Sequence, residues 1–176
     1  ERGAELRTRE PVLYGKFEAR FKPTQGEGFV SSFFIYNDDY PNTDWNEIDI
    51  EILGRFPQVA DMNVMTPGAH LRTHYVPFNT HLDFYEYGFE WTPDYVAWFI
   101  NGEEVYRQTE VAHIDSLNEP SKIMMNIWNP IHDEWVGFWN DRVLPRFAYY
   151  DWVRYASYTQ GSGDTGTNND FTHQWQ

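Results

Sequence analysis

Hydrophobic and polar residues alternate over much of this chain, and strict alternation over a short run is typical of a β-strand with one buried face. Between Lys16 and Lys22, charged residues alternate with Phe17, Ala19 and Phe21, which predicts one hydrated and one buried face. Similar runs recur with turn signals between them. The predicted strands are Val12–Lys22, Phe29–Tyr36, Glu47–Leu53, Val59–Met65, Phe84–Trp91, Tyr95–Ile100, Glu104–Arg107, Lys122–Trp128 and Phe147–Tyr158.

Turn and helix signals complete the prediction of the fold class. Asn101-Gly102 lies between two predicted strands and predicts a type I′ hairpin turn. Helical periodicity is nearly absent, and only Val111–Leu117 is expected to form a short helical turn. Many short strands with almost no helix predict an all-β fold, either a sandwich of two sheets or a jelly roll.

The composition changes near the end of the chain. Residues 159–169 are rich in Gly, Asn and Thr, which predicts a flexible linker. Residues 170–176 again have a strand-like pattern. We therefore expect one β domain over residues 1–158, a linker over residues 159–169 and a short strand-like stub over residues 170–176.

Glu47, Asp49 and Glu51 form the most distinctive pattern in the sequence. They alternate with three isoleucines between Trp45 and Leu53, so the three carboxylates share one face of a predicted strand. No Lys or Arg lies between positions 45 and 54 to neutralise them. From the pattern alone, acid/base chemistry, metal binding and simple solvation of an outer face are all open.

Paired carboxylates also suit the cleavage of a glycosidic bond with retention of configuration. That reaction needs a carboxylate nucleophile and a carboxylic acid about 5–5.5 Å apart. Residues four positions apart on a strand have Cα atoms about 13 Å apart at ~3.3 Å per residue, so Glu47 and Glu51 would lean together on a concave sheet. The charge of Asp49 between them would raise a carboxyl pKa, so that one Glu stays protonated while the other is ionised.

Net charge and composition narrow the choice of ligand. The formal net charge of −14 disfavours nucleic acid and anionic membrane partners. Aromatic residues make up 19% of the chain, which favours stacking platforms for sugars, although an aromatic core between two sheets explains many of them. The absence of Cys excludes disulfides and thiolate metal sites. No apolar run approaches transmembrane length, and Glu1 at the first position indicates a processed or engineered chain.

Five segments share their pattern with one enzyme family. They are Gly28–Phe34, Glu47–Glu51, Phe89–Trp98, Lys122–Asn129 and Tyr150–Tyr155. Together they resemble glycoside hydrolase family 16, and most of all its bacterial 1,3-1,4-β-glucanases (lichenases), from about Gly3 to Tyr158. No extra residue separates Asp49 from Glu51, unlike the bulged form typical of laminarinases. The Gly-rich linker and the final stub resemble those of circularly permuted members, here in a truncated form.

The resemblance implies a β-jelly-roll sandwich of two antiparallel sheets with a concave substrate cleft. It implies Glu47 as the nucleophile, Glu51 as the general acid/base and Asp49 as the carboxylate that tunes both. Met65 stands where lichenases usually carry a cleft Tyr. The implied substrate-binding residues are Glu5, Arg7, Trp45, Asn63, Asn126, Trp128 and Trp135, with core packing as the alternative for each Trp.

Asp151 matches the acidic ligand of a calcium ion that many family members carry on the convex face. The alternative is an exposed Asp before Trp152 in the last strand. Ca²⁺ takes six or more oxygen ligands, and no partner for Asp151 is identifiable in the sequence. We therefore expect no required cofactor, and at most a structural calcium ion.

The resemblance implies endo-acting hydrolysis of β-1,4 bonds in mixed-linkage 1,3-1,4-β-glucan, such as lichenan or barley β-glucan, by a retaining double displacement. Alternatives are a hydrolase or transglycosylase acting on xyloglucan or another β-glucan, and a non-catalytic carbohydrate-binding jelly roll. A polymer substrate implies an extracellular, secreted protein. Most family members carry further strands before the position of Glu1. We therefore expect that a second chain or a missing segment completes the sandwich, with a fold that closes without those strands as the alternative.

Overall fold

The computed structural model describes residues 2–159 and contains, in that range, eleven strands in two antiparallel sheets. The strands are β1 (Arg2–Arg7), β2 (Gly15–Lys22), β3 (Val30–Tyr36), β4 (Glu47–Leu53), β5 (Val59–Met65), β6 (Thr73–Tyr75), β7 (Tyr85–Trp91), β8 (Val96–Ile100), β9 (Glu103–Gln108), β10 (Lys122–Asn129) and β11 (Tyr149–Ser157). The short helical elements are α1 (Val111–Ile114), α2 (Asp133–Val136) and a 3₁₀ turn at Asp141–Val143.

The two sheets form the predicted jelly-roll sandwich. The six-stranded sheet has the order β1-β10-β3-β4-β5-β6, and the five-stranded sheet has the order β11-β2-β7-β8-β9. Strands that are distant in sequence are therefore neighbours in space, as β1 and β10 are. Within residues 2–159, no helix has the length and apolar character needed to cross a membrane.

Nine of the strands and the short helix α1 lie where the hydrophobic pattern predicts them. β1 and β6 are not predicted from the sequence, because β1 lacks a clean alternation of apolar residues and β6 has only three residues. The helix α2 and the 3₁₀ turn between β10 and β11 are not predicted either. Residues 160–176, which include the predicted stub and almost all of the predicted linker, lie outside the described residues.

The predicted hairpin turn between β8 and β9 is confirmed. Asn101 has φ of 51° and Gly102 has φ of 82°, so both central residues adopt the left-handed conformation of a type I′ turn. The register pairs Ile100 with Glu103 directly across this two-residue loop. Asn and Gly tolerate such a conformation better than other residues, which explains why this dipeptide closes the hairpin.

Aromatic and aliphatic side chains fill the space between the two sheets. Ile48, Ile50 and Ile52 of β4 are fully buried and face this core. From the five-stranded sheet, Phe17 and Phe89 stack with ring centres 4.9 Å apart. Each side chain of this size that is fully buried stabilises the fold by about 1.5–3 kcal/mol relative to an exposed position. The isoleucines of β4 therefore fix which face of the strand points outward.

Hydrogen bonds from two aromatic side chains connect the sheets across the core. The indole Nε1 of Trp98 donates to the backbone carbonyl of Asp49 at 3.1 Å. The hydroxyl of Tyr150 donates to the carbonyl of Ser32 at 2.7 Å and to that of Asn126 at 3.0 Å. Both aromatic side chains belong to the five-stranded sheet and reach the backbone of β3, β4 and β10. They hold the six-stranded sheet from behind.

The register of the six-stranded sheet aligns polar residues on its outer face, which we call the cleft face. Glu51 is opposite Ser32 on β3 and opposite Asp61 on β5. Ser32 is in turn opposite Asn126 on β10, which is opposite Glu5 on β1. Because paired residues in an antiparallel sheet share a face, this row carries a polar side chain from each of five strands.

The Tyr150 hydrogen bonds generate the first prediction. Tyr150→Phe is expected to lower the free energy of unfolding by about 1–2 kcal/mol, because two carbonyl groups lose a donor while the ring packing is kept. Urea unfolding followed by Trp fluorescence measures the change. The matched control is Tyr149→Phe, since Tyr149 is 53% exposed. Equal losses in the two variants would contradict the prediction.

Candidate active site

The three acids of β4 lie on the cleft face because their isoleucine neighbours are buried behind them. β4 is flanked on both sides, by β3 and β5, so its backbone is fixed by hydrogen bonds along both edges. Glu47 and Glu51 are half-buried, and Asp49 between them is only 6% exposed. The prediction that all three share one face is confirmed, and simple solvation does not explain a buried Asp49.

A cavity of about 630 Å³ opens over these acids. Its walls come from β4, β5, β6, β10, α2 and the loop between β5 and β6. The lining residues besides the three acids are Trp45, Asp61, Asn63, Met65, Leu71, Arg72, Thr73, Trp128, His132 and Trp135. Four predicted substrate-binding residues, Trp45, Asn63, Trp128 and Trp135, therefore lie in the same cavity as the acids.

Glu47 is held as a hydrogen-bond acceptor. The indole Nε1 of Trp45 donates to Glu47 Oε2 at 2.8 Å, and the side chain of Asp49 also hydrogen-bonds to Glu47. Burial raises the pKa of Glu47 above its usual range, and these two hydrogen bonds oppose that rise. Both bonds favour the ionised carboxylate of Glu47.

The surroundings of Asp49 favour its protonated form. Burial raises the pKa of Asp49 well above its ordinary value, and the charges of Glu47 and Glu51 raise it further. The hydrogen bond to Glu47 acts in the same direction, whereas the one from Asn63 acts against it. These effects favour the protonated form of Asp49, and with it Asp49 as the donor in its bond to Glu47.

The surroundings of Glu51 also favour its protonated form. Burial raises the pKa of Glu51 to about 8, with further contributions from the charges of Glu47 and Asp61. The amide Nδ2 of Asn63 donates to Glu51 Oε2 at 3.1 Å and partly opposes this rise. A pKa of about 8 favours protonated Glu51 at neutral pH, whereas the two hydrogen bonds that Glu47 accepts favour its anion. The two carboxyl groups are thus suited to the roles of acid and base.

No ion pair within residues 2–159 neutralises Glu47, Asp49, Glu51 or Asp61. Arg72 lines the cavity, but its guanidinium lies 4.0 Å from the centre of the Tyr106 ring. The acids therefore perturb one another without a compensating cation, which is the arrangement expected where pKa values are tuned for chemistry.

Trp128 and Trp135 form an aromatic wall of the cavity. Their ring centres are 6.2 Å apart in an edge-to-face arrangement. Trp135 Nε1 donates to Asp61 Oδ2 at 3.2 Å, whereas Trp128 Nε1 is buried and has no partner among the described residues. Both rings are half-buried and only partly packed against the small cluster of Val30, Leu53 and Val136. Core packing is therefore not their whole role.

The predicted substrate-binding residues Glu5, Arg7 and Asn126 lie on the cleft face but outside this cavity. Glu5 is opposite Asn126, and Arg7 follows two positions later on β1, so both are placed on the same face by the pleat. Both are exposed. Arg7 Nη1 lies 3.6 Å from Asp38 Oδ2. A sugar contact for these three residues stays a prediction.

Several residues that line the cavity are not predicted from the sequence. Asp61 could have been found, because it precedes Asn63 by two positions and so shares its face of β5. Leu71 and Arg72 belong to a loop, and Thr73 belongs to the three-residue β6, so no pattern marked them. Met65 is opposite Glu47 and lines the cavity with a thioether instead of the hydroxyl of a Tyr.

Asp151, the predicted calcium ligand, lies on β11. Arg20 Nη1 lies 2.5 Å from Asp151 Oδ2, so the carboxylate is already paired with a cation. In the described part of the chain, no three His, Cys, Asp or Glu residues are grouped so that they could hold a metal ion. Ca²⁺ takes six or more oxygen ligands, so a calcium ion at Asp151 stays a prediction.

Known proteins are similar in sequence to most of this chain. The family model for glycosyl hydrolases family 16 matches residues 1–154. A beta-glucanase of Fibrobacter succinogenes is 39% identical over 98% of this chain and 51% of its own length. A beta-glucanase of Paenibacillus macerans is 40% identical over 88% of this chain and 64% of its own length. The chain thus spans about half to two thirds of these curated relatives.

The fold agrees with the sequence match. The structure of a Bacillus licheniformis beta-glucanase superimposes with a TM-score of 0.79 at 36% identity, and the match covers 86% of this chain and 70% of that chain. The match in sequence takes in both sheets and the three acids of β4, so the resemblance drawn from sequence motifs is confirmed. The chain belongs to glycosyl hydrolases family 16.

Proposed function

We propose that this protein hydrolyses internal β-1,4 bonds of mixed-linkage 1,3-1,4-β-glucan with retention of configuration. The observation that carries the proposal is the division of labour in one cavity: Glu47 is a hydrogen-bonded carboxylate, and Glu51 holds its proton to about pH 8. Retaining glycosidases need this pair of one nucleophile and one acid. The relatives named beta-glucanase support the substrate class.

In the first step of the proposed reaction, a carboxylate oxygen of Glu47 attacks the anomeric carbon. The bond between that carbon and the glycosidic oxygen breaks, and the electron pair stays on the oxygen. Glu51 gives its proton to this oxygen, so the leaving glucan departs as a neutral alcohol. The products are a glycosyl ester on Glu47 and an ionised Glu51.

In the second step, Glu51 acts as a base. It takes a proton from a water molecule whose oxygen attacks the anomeric carbon, and the ester bond to Glu47 breaks. Glu47 returns to a carboxylate and Glu51 to an acid, so the cycle closes without any cofactor. Throughout, Trp45 and protonated Asp49 hold Glu47 in place by the two hydrogen bonds that it accepts.

We place the glucan along the cleft face. Trp45, Trp128 and Trp135 offer ring faces to the C–H surfaces of glucose units, and Asn63 offers an amide near Glu51. Glu5, Arg7 and Asn126 would meet sugar hydroxyls further along the face, toward β1. A glucan polymer is too large to enter the cell, so we propose that the protein is secreted and acts outside it. A second chain or missing segment that completes the sandwich stays a prediction.

Glu47→Gln tests the nucleophile. The variant is expected to lose about 10³-fold or more of the rate of reducing-sugar release from barley β-glucan, because an amide cannot form the glycosyl ester. Its affinity for the glucan, measured by gel retardation, stays near the wild-type value. Glu103→Gln is the matched control, since Glu103 is exposed on the β8–β9 hairpin.

The same assay on four polymers separates the alternatives. We expect release from barley β-glucan and little from laminarin, carboxymethyl cellulose or xyloglucan. Release chiefly from xyloglucan would replace the proposed substrate. No release from any polymer, with retained glucan binding by a folded chain, would make the protein a carbohydrate-binding jelly roll.

Glu51→Ala tests the acid/base. With a β-glucan oligosaccharide that carries an activated aryl leaving group, the first step needs no acid, but the second step loses its base. Azide, which needs no base, is expected to restore turnover and to yield a β-glycosyl azide. Mass spectrometry and the anomeric NMR coupling identify the product. An α-azide from this variant would contradict the assignment and would fit a loss of the nucleophile.

The pH profile follows from the shifted pKa values. Because Glu51 must be protonated and its pKa is raised to about 8, kcat/KM is expected to fall as the pH rises through that value. Because Glu47 must be ionised and burial raises its pKa, kcat/KM is expected to fall again on the acid side. Initial rates from about pH 4 to 10 measure both limbs, and a flat profile over this range would contradict the carboxyl pair.

A further inference from the structure

Asp61 is a fourth carboxylate beside the reacting pair. It is directly opposite Glu51 in the pairing of β4 with β5, and paired residues on one face have Cβ atoms about 4.5–5.5 Å apart. Both side chains line the same cavity, so the two carboxyl groups face each other across a short gap. The proposed reaction uses Glu47, Asp49 and Glu51 and leaves Asp61 without a role.

Each oxygen of Asp61 has its own neutral donor. Thr73 Oγ1 on β6 donates to Asp61 Oδ1 at 2.7 Å, and Trp135 Nε1 on α2 donates to Asp61 Oδ2 at 3.2 Å. These bonds fix the carboxylate between the edge of the sheet and the aromatic wall. Because neither donor is charged, the negative charge of Asp61 is oriented but not cancelled.

The side chains around Glu51 do not neutralise the negative charge of Asp61. They are Glu47 and Asp49 on β4, Asp61 and Asn63 on β5, Ser32 on β3, Thr73 on β6, Arg72 in the β5–β6 loop, and His132 and Trp135 around α2. Arg72 is the one cationic side chain among them, and it stacks on Tyr106. The Trp135 backbone N–H donates to His132 Nδ1 at 3.2 Å.

We propose that Asp61 is a positioning residue for the proposed hydrolysis: its carboxylate fixes the Trp135 indole at the cavity wall, and its charge holds the proton on Glu51. The inference rests on the proposed function for its effect on rate. The charge of Asp61 is also one of the causes that raise the pKa of Glu51. Asp61 thus connects the ring that packs against sugar to the acid that protonates the leaving group.

Two variants separate the two effects. Asp61→Asn removes the charge but keeps a carbonyl oxygen that can accept the Trp135 hydrogen bond. Trp135→Phe removes the indole N–H but keeps the charge next to Glu51. Glu103→Gln removes one negative charge at an exposed hairpin position and controls for the change in net charge.

The pH dependence of kcat/KM on barley β-glucan tests the charge. For Asp61→Asn, we expect the alkaline limb to move down by roughly half a pH unit or more, with KM nearly unchanged, because a like charge no longer favours protonated Glu51. For Trp135→Phe, we expect the alkaline limb to stay and KM to rise severalfold. An Asp61→Asn profile that overlays the wild-type profile would overturn the proposal.

A direct titration distinguishes failure of this proposal from failure of the proposed function. Carboxyl ¹³C NMR of protein with labelled Glu follows the proton on Glu51 without substrate, and Glu51→Gln assigns the resonance. We expect the Glu51 titration to shift down in Asp61→Asn and to stay in Glu103→Gln. If the wild-type chain cleaves no glucan, the proposed function fails, and the titration still decides the effect of Asp61.

If the wild-type chain cleaves glucan while the Glu51 titration is the same in Asp61→Asn, only the role of Asp61 is wrong. Thermal unfolding of each variant checks the fold. If Asp61→Asn lacks a cooperative transition, the shorter neutral variant Asp61→Ser takes its place in both measurements, with the same expected shift. An unshifted titration in a folded Asp61→Ser variant would equally overturn the proposal.

Discussion

The burial of neighbouring carboxylates without a cation is the constraint on which the site depends. Glu47, Asp49 and Glu51 share one face of β4, Asp61 faces them from β5, and no cation within the described residues pairs with any of the four. Burial destabilises the charged forms of these acids most, and repulsion between neighbouring carboxylates adds to it, so the protonated forms of Asp49 and Glu51 are favoured. The chemistry proposed for the cavity uses those protonated forms.

The rest of the sandwich bears the cost of that repulsion. β4 is held on both edges by neighbouring strands and from behind by the hydrogen bond from Trp98 to the Asp49 carbonyl. Its three isoleucines are completely buried in the aromatic core. Burial of apolar side chains on one face therefore compensates for crowded acids on the other. A less rigid strand would relax and lose the spacing of the acids.

The sequence was sufficient to predict the face of β4, because alternation with a period of two assigns each residue to one side. It was also sufficient for the β8–β9 turn, where Asn101 and Gly102 have the conformations that their chemistry favours. It could not place Arg72, because the position of that side chain depends on the path of a loop and on the ring of Tyr106. Local pattern carries no information about such distant contacts.

For other residues, the sequence predicts the face or the role but not the contacts. Trp128 and Trp135 could be nominated from a family pattern, but their edge-to-face contact depends on how α2 folds back over β10. Asp61 follows the same alternation as Asn63, but only the register of β4 with β5 shows that it lies opposite Glu51. Glu5 and Asn126 are far apart in sequence and become neighbours only when β1 pairs with β10.

The strict alternation along β4 also protects the fold against mispairing. A slip of one residue against β3 or β5 would turn three carboxylates into the aromatic core and three isoleucines into water. Burying even one unpaired carboxylate costs several kcal/mol, so a slipped pairing is strongly disfavoured. The acids proposed for catalysis therefore also act as folding determinants that allow this strand a single register.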